Sequence, residues 1–197
     1  MVDSGSAAAG EPGAPGPPRD RIGRDAFRDV MGRFVSGVTV VSAVADREQF
    51  AATVSALTSV SLEPPMLLVC LNRTSATQGA IARSGRFAVS ILAEHQRQLA
   101  RWFATKEAAK LDGVVAEAGP GGLPVIKEAV AYLECLVRDT ARGGTHTVFL
   151  AEVVAGCAGC GRPLVYYRGA LGGFADIGHH SMLRPGADAR GSQDRAS

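Results

Sequence analysis

Five small hydroxyl side chains lie close together near the middle of the chain, and they belong to Thr53, Ser55, Thr58, Ser59 and Ser61. Small alanine and valine residues separate them, so a ligand can approach the backbone N–H groups as an anion requires. Two prolines and an unbroken apolar segment follow. The pattern predicts a ligand-binding turn on a β scaffold that holds a phosphate without a lysine. On these residues alone, a turn that only joins two strands remains the alternative.

The cysteines give a second set of reactive side chains. Cys70 and Cys135 each lie inside an apolar segment, which is typical of small buried side chains and not of a disulfide framework. Cys157 and Cys160 form one C-x-x-C pair, the spacing of half a zinc site or of a redox pair. A structural zinc takes four ligands, and no second pair stands at the spacing of a zinc finger. We therefore expect no bound metal.

Composition limits the class of protein. The 197 residues are 46% hydrophobic and 20% charged, which fits one globular domain. A net charge of +2 without a basic run among aromatics gives no reason to expect a nucleic-acid partner. No apolar stretch approaches the roughly 18 residues of a membrane span, so no membrane partner is expected. We predict disordered tails at 1–23 and 185–197, a folded domain at 24–184, and a cytoplasmic location.

The sequence lacks the motifs of several common enzyme classes. It has no G-x-G-x-x-G after a strand and no P-loop, so a dinucleotide must bind by another architecture. It also has no H-E-x-x-H, no G-x-S-x-G and only 4 histidines, which argues against hydrolytic chemistry.

Hydrophobic periodicity predicts the elements that position these residues. Helices are predicted at 25–37 and 94–104, with a short helix near Thr77 whose N-cap is Ser75 or Thr74. The predicted strands are 38–45, 49–57, 66–71, 87–92, 129–141, 146–157 and 163–174. Many strands with few short helices favour an antiparallel barrel, closed or partly closed, over a βαβ sheet.

Six segments, in order and spacing, resemble the short-chain flavin reductases of the FMN-binding split-barrel superfamily. They read FRDVMGRFVSGVTVVSA, ATVSALTSVSLEPPMLLVCL, SATQGAIARSGRFAVSIL, LARWFA, AYLECLV, and GGTHTVFLAEV with PLVYYRG after it. The likeness is strongest to reductase components that serve two-component flavin monooxygenases. The resemblance implies a mainly β fold, an antiparallel Greek-key split β-barrel with a few short helices, and a homodimer with the flavin near the subunit interface.

The resemblance also implies a flavin site. Its cofactor-binding residues would be Thr53, Val54, Ser55, Ala56, Ser59, Val60, Ser61, Asn72, Arg73, Ser75, Thr77, Tyr167, Arg168 and Phe174. At the start of a short helix, Ser75 and Thr77 would present the positive end of the helix dipole to the flavin phosphate. Ordinary N-capping is the alternative role for this pair, and the two roles are compatible. Barrel packing is the alternative role for Tyr167.

His146 is the candidate catalytic residue. Similar proteins commonly have Gly-Asp-His at this hairpin, with the histidine beside the nicotinamide and flavin rings. Here the three residues are Gly144, Thr145 and His146, so the carboxylate is replaced by a hydroxyl. The replacement is expected to alter the affinity for NADH or NADPH, or the preference between them.

The activity implied is an NAD(P)H:flavin oxidoreductase that transfers a hydride to FMN or FAD and supplies reduced flavin to a partner oxygenase. The cofactors carry this chemistry, which explains why no acid–base constellation is visible. Two alternatives stay open: a flavin-dependent oxidase or monooxygenase of the same fold acting on a small metabolite, and a non-enzymatic module that binds flavin or metal.

Overall fold

The computed structural model describes residues 21–105, 111 and 115–175. In chain order the elements are α1 (Arg24–Gly32), β1 (Ser36–Gly37), β2 (Thr39–Ala45), β3 (Glu48–Val54), β4 (Leu57–Leu62), β5 (Pro65–Asn72), α2 (Ala76–Ser84), β6 (Arg86–Ile91), a 3₁₀ helix (Glu94–Gln96), α3 (Arg97–Trp102), β7 (Ala116–Ala118), β8 (Pro124–Ile126), β9 (Ala131–Gly143), β10 (His146–Ala158), β11 (Leu164–Tyr167) and β12 (Ala170–Gly173). No helix in these ranges is long and apolar enough to cross a membrane. Residues 1–20, 106–110, 112–114 and 176–197 lie outside the described residues, and they include most of the predicted N-terminal tail, the whole predicted C-terminal tail and the end of the predicted domain.

One seven-stranded sheet forms the body of the protein, in the order β3-β2-β6-β9-β10-β5-β4. Its neighbouring strands are all antiparallel. The connection from β5 through α2 to β6 passes over β9 and β10, which has the form of a Greek key. The prediction of a mainly β, antiparallel fold with few short helices is confirmed.

The sheet curls without closing. Cα atoms of β3 come within 8 Å of Cα atoms of β5, yet the described edge strands β3 and β4 share no hydrogen-bonded pair. The main core fills the inside of this curl, where side chains such as Val41, Val69, Phe87 and Phe149 are almost completely buried. The barrel is therefore split between β3 and the β4–β5 hairpin.

Turn chemistry fixes the long hairpin that carries His146. His146 pairs with Gly143, so the turn has two central residues, Gly144 and Thr145. Gly144 has φ +60°, a conformation that glycine adopts without a steric penalty and that the first position of a type II′ turn requires. The turn predicted at 142–145 is thus present, and it places His146 at the start of β10.

The hydroxyl-rich turn and the last predicted strand differ from their predicted structure. The hydroxyl-rich turn is in fact largely the strand β4, because Leu57 to Leu62 pair with β5 across the turn at Glu63 and Pro64. The single strand predicted at 163–174 is a hairpin of β11 and β12. Arg168 and Gly169 both have positive φ, of 49° and 81°, which is the type I′ geometry that two-residue hairpins favour.

Helix α1 is shorter than the predicted 25–37 and has no buried residue. The Arg168 N–H donates to the Gly32 carbonyl at 2.9 Å, so this helix end is satisfied by the β11–β12 turn. The chain then pairs as β1 with β11. The predicted apolar stripe is present, but Phe27, Val30, Met31 and Phe34 are 49–72% exposed.

Candidate active site

A cavity of about 740 Å³ opens where the barrel is split. Its walls come from the end of β3 and the following loop (50–56), the end of β5 (70–72), the start of α2 (74–77), the segment after α3 (103–105) and His146. The volume is within the range of small-molecule and cofactor sites.

The described wall of this cavity contains no Asp, Glu, Lys or Arg. His146 and Cys70 are its titratable side chains. Burial raises the pKa of the Cys70 thiol, which therefore stays neutral at physiological pH. The cavity is a neutral, polar chamber with one imidazole.

The loop before α2 contributes the hydroxyl-bearing residues Thr74 and Ser75 to the cavity wall. Asn72 Oδ1 accepts hydrogen bonds from the Thr74 N–H and hydroxyl, both at 2.9 Å, and the Asn72 carbonyl accepts one from the Ser75 N–H at 2.9 Å. Ser75 is the N-cap residue of α2, but its side chain makes no capping bond. Because the helix dipole and free N–H groups favour an anion, this arrangement fits a phosphate.

His146 lies beside that loop. It pairs with Asn72 across β5 and β10, and it is half-buried. Its Nδ1 is 3.0 Å from the Thr145 hydroxyl. The Arg73 N–H donates to the Thr145 carbonyl at 3.0 Å, which ties the β9–β10 turn to the loop after β5. The imidazole and the loop before α2 are thus held together.

The opposite wall is fixed by Thr53. Its hydroxyl donates to the Ala100 carbonyl at 2.7 Å, and its N–H donates to the Phe103 carbonyl at 3.0 Å. These bonds attach α3 to β3 and place the buried Phe103 ring, which stacks on Trp102 with centroids 5.6 Å apart, at the cavity. The hydroxyl donor of Thr53 is consequently used by the fold.

The structure brings together eight of the candidate residues. Those lining the cavity are Thr53, Val54, Ser55, Ala56, Asn72, Ser75, Thr77 and His146. Arg73 is exposed next to this wall and does not line it.

The remaining candidates lie elsewhere on the chain. Ser59, Val60 and Ser61 belong to the edge strand β4, outside the cavity lining. Tyr167, Arg168 and Phe174 lie at the β11–β12 hairpin, where Arg168 is 3.7 Å from a carboxylate oxygen of Asp29 in α1. Within one chain these six residues do not reach the cavity.

Several lining residues were missed from the sequence. Thr74 continues the hydroxyl pattern of the loop, so the same signal points to it. Cys70 was interpreted only as a core residue, although β5 ends at the cavity. Phe103 and Ala104 belong to the LARWFA segment, but nothing in that segment indicates a role in the site, and the tertiary contact with Thr53 places it there.

Cys157 and Cys160 are exposed and unpaired. In the part of the chain that the structure describes, no group of three His, Cys, Asp or Glu side chains is arranged to hold a metal.

A curled antiparallel sheet whose neutral, polar cavity brings a helix N-terminus next to an imidazole has the form of a small-molecule or cofactor site. Residues 31–175 match the family described as flavin reductase like domain. The chain therefore belongs to the flavin reductase-like family, and the predicted family is confirmed.

Named relatives agree with this assignment. The reductase component of 4-nitrophenol 4-monooxygenase/4-nitrocatechol 2-monooxygenase from Rhodococcus opacus is 49% identical over 148 residues, 75% of this chain and 80% of that protein. The NADH-dependent FMN reductase of Streptomyces nodosus subsp. asukaensis is 36% identical over 157 residues, 75% of this chain and 83% of its own.

A solved structure supports the fold. The NADH:FAD oxidoreductase of Streptomyces globisporus, in complex with NAD and FAD fragments, superposes with a TM-score of 0.74 at 35% identity. The match covers 78% of this chain and 94% of that one. The prediction that the chain is a flavin reductase, with a flavin and a reduced nicotinamide as its cofactors, agrees with these relatives.

Proposed function

We propose that the protein is an NAD(P)H:flavin oxidoreductase. The cavity at the barrel split is the part of its flavin and nicotinamide site that one chain provides. The observation that carries the proposal is the placement of the α2 N-terminus and His146 on one neutral wall. A flavin supplies hydride-accepting chemistry there, and a reduced nicotinamide is the hydride donor.

The residues of the cavity have separable tasks. Ser75, with the first N–H groups of α2, holds the flavin phosphate, and Arg73 adds a positive charge nearby. The loop at Ser55 and Ala56 offers backbone groups to the edge of the ring. Phe103 and Thr53 form a rigid wall that excludes water. His146 would contact the nicotinamide and orient it. Hydride transfer depends mainly on such orientation, because the two rings must be held at reacting distance.

Anaerobic stopped-flow spectroscopy tests the activity. Purified protein is mixed with FMN or FAD and then with NADH or NADPH, and loss of the oxidised flavin absorbance is followed. Rapid bleaching is expected, and the four combinations identify the preferred pair. Tight flavin binding without bleaching would contradict the proposal and favour an oxidase or monooxygenase with its own substrate.

His146→Ala tests the role of the imidazole. We expect the bleaching rate to fall by roughly 10- to 100-fold, since loss of orientation has effects of that size. Flavin affinity should change little. His95→Ala is the matched control, because His95 is exposed and faces Glu128 at 3.3 Å, away from the cavity lining. An equal loss of flavin affinity and rate in His146→Ala would remove this role.

We further propose that the reduced flavin is passed to a separate oxygenase. The support is the name of the Rhodococcus relative, which is a reductase component. Under this proposal reduced flavin leaves the protein, so filtration after anaerobic reduction should find it in the filtrate. Retention of reduced flavin on the protein would contradict transfer by diffusion.

A cytoplasmic location is proposed from the exposed, unpaired Cys157 and Cys160, which fit a reducing compartment.

A homodimer is proposed as the working form. The apolar face of α1 is exposed, and the edge strand β4 exposes Val60 by 49% and Leu62 by 92%. Exposed apolar side chains clustered on one helix face or one sheet edge are typical of protein contacts. A second copy over β4 would also bring Ser59 and Ser61 towards a shared flavin site.

Sedimentation velocity measures the oligomeric state. The wild-type protein should sediment as a dimer, and Phe27→Ser with Phe34→Ser should shift it towards the monomer. Arg33→Ala, on the same helix segment, removes only an exposed ion pair with Asp29 and serves as the control. A monomeric wild type would contradict the proposal.

A further inference from the structure

Thr145, the residue before His146, is held by contacts of both its backbone and its side chain. The Thr145 carbonyl accepts the Arg73 N–H at 3.0 Å, and the Thr145 hydroxyl lies 3.0 Å from His146 Nδ1. Thr145 is not among the residues with positive φ, so a β-branched side chain suits this turn position. The hydroxyl is therefore presented to the imidazole from a fixed point.

A hydroxyl interacts with imidazole differently from a carboxylate. It donates to Nδ1 when the proton is on Nε2, and it accepts from Nδ1–H in the other neutral tautomer and in the protonated ring. A carboxylate only accepts and stabilises the protonated ring. The hydroxyl fixes the direction of the ring without selecting its charge.

The other neighbours of His146 add no negative charge. Across the strands it faces Asn72 and Gly143, and the charged residues next to the turn are Arg73 after β5 and Arg142 in β9. The start of α2 contributes hydroxyls, and β5 contributes the neutral Cys70 thiol. Among the described residues, no carboxylate forms an ion pair with His146 within 4.0 Å.

We propose that Thr145 is the positioning residue of this active site: its hydroxyl holds His146 through Nδ1 and leaves Nε2 to contact the nicotinamide in the cavity. The inference rests on the proposed reductase function and on the proposed contact between His146 and the hydride donor. Thr145 acts through His146 and touches neither cofactor.

Three substitutions at one position test the proposal. Thr145→Val keeps the shape and the backbone anchor but removes the hydroxyl, and it should lower the hydride-transfer rate with NADH about fivefold, the value of one hydrogen bond. Thr145→Ser should restore the wild-type rate. Thr145→Asp should not restore the wild-type pH profile of the rate, because a carboxylate only accepts a hydrogen bond and favours the protonated ring. Flavin affinity should be unchanged in all three.

Two-dimensional ¹H–¹⁵N spectra of the His146 ring provide a readout that stability does not move. The Nδ1 and Nε2 shifts should change in Thr145→Val and return in Thr145→Ser. Wild-type rate and unchanged ring shifts in Thr145→Val would overturn the proposal. His146→Ala, measured in parallel, separates the failures: a normal rate there contradicts the role of His146 itself, and the ring spectra still test Thr145.

Discussion

Two polar clusters of the molecule differ in how their polar groups are hydrogen-bonded. The first is the cavity rim, with Ser75 and His146. The second, here called the Glu134 cluster, consists of Glu134 in β9, Gly121 between β7 and β8, and Arg86 in β6. Glu134 is 1% exposed, and both of its oxygens accept the Gly121 N–H, at 2.8 and 3.1 Å. Arg86 donates to the Gly121 carbonyl at 3.0 Å.

The difference separates stability from function. In the Glu134 cluster the polar groups are bound to one another, because a buried carboxylate without partners would strongly destabilise the fold. At the rim, Ser75 is oriented by the backbone but its hydroxyl makes no capping bond. Polar groups that are fixed in place and left without partners are suited to a ligand. We therefore expect substitutions in the two clusters to affect different measurements.

Gly121→Ala should have the largest effect on stability. A Cβ atom there would collide with the Glu134 carboxylate and lie 2.7 Å from an Arg86 nitrogen. We expect the free energy of unfolding to fall by about 2–3 kcal/mol, as for other overpacked sites with a disturbed buried hydrogen bond. Urea unfolding measures the loss, and flavin titration of the folded protein should be unaffected because no residue of the Glu134 cluster lines the cavity.

Gly37→Ala is the control for this substitution. Gly37 also lies at a β strand, its φ is not positive, and nothing lies within 4 Å of a Cβ added there. Its stability should stay close to that of the wild type. A similar loss of stability in both variants would mean that the loss in Gly121→Ala does not come from a collision between the added Cβ and the Glu134 carboxylate.

A buried thiol next to Glu134 predicts a pH dependence of stability. Burial and the charge of Glu134 raise the pKa of Cys135 from 9.0 to about 12. Below pH 9 the thiol is neutral in both states. Between the two values it ionises only in the unfolded chain, so the free energy of unfolding falls by about 1.4 kcal/mol per pH unit. Above the folded pKa this contribution is lost.

Urea unfolding at a series of pH values above 9 measures that slope. Cys135→Ala is less stable at neutral pH but should show a flatter decline. Cys157→Ala, which removes an exposed thiol, should keep the wild-type slope. Equal slopes in all three proteins would show that Cys135 does not titrate as described.

Strands that are buried could be predicted from the sequence, because their residues form continuous apolar runs. β2, β5 and β6 were found within one or two residues, because continuous apolar runs bounded by polar turns identify buried strands. β4 was missed because an edge strand with polar outward residues resembles a turn. The end of α1 at Gly32 was also missed, since it depends on Arg168, which is distant in sequence.

The site was predictable where its residues are neighbours in the chain. Asn72, Ser75 and Thr77 were predicted from the family resemblance of the segments around them, and all three line the cavity. Phe103 lies in the LARWFA segment, but its place at the cavity has no local signal because it depends on hydrogen bonds that Thr53 donates to Ala100 and Phe103. The contact between the Thr145 hydroxyl and His146 could not be predicted, because sequence spacing does not give the direction of a side chain in a two-residue turn.

Ser75→Ala should have the smallest effect and should most directly test the comparison. The hydroxyl makes no capping bond in the free protein, so its removal should leave the stability of the fold nearly unchanged. Flavin affinity should fall about fivefold, the value of one hydrogen bond to the phosphate.

Ser84→Ala, at the other end of α2, is the control for Ser75→Ala. It removes a hydrogen bond of 2.9 Å to the Ala80 carbonyl and should lower stability without changing flavin affinity. Riboflavin, which lacks the phosphate, should bind the wild type and Ser75→Ala equally well. If Ser75→Ala weakened riboflavin as much as FMN, the hydroxyl would act on the ring side of the ligand, and the anion site would have to be sought away from α2.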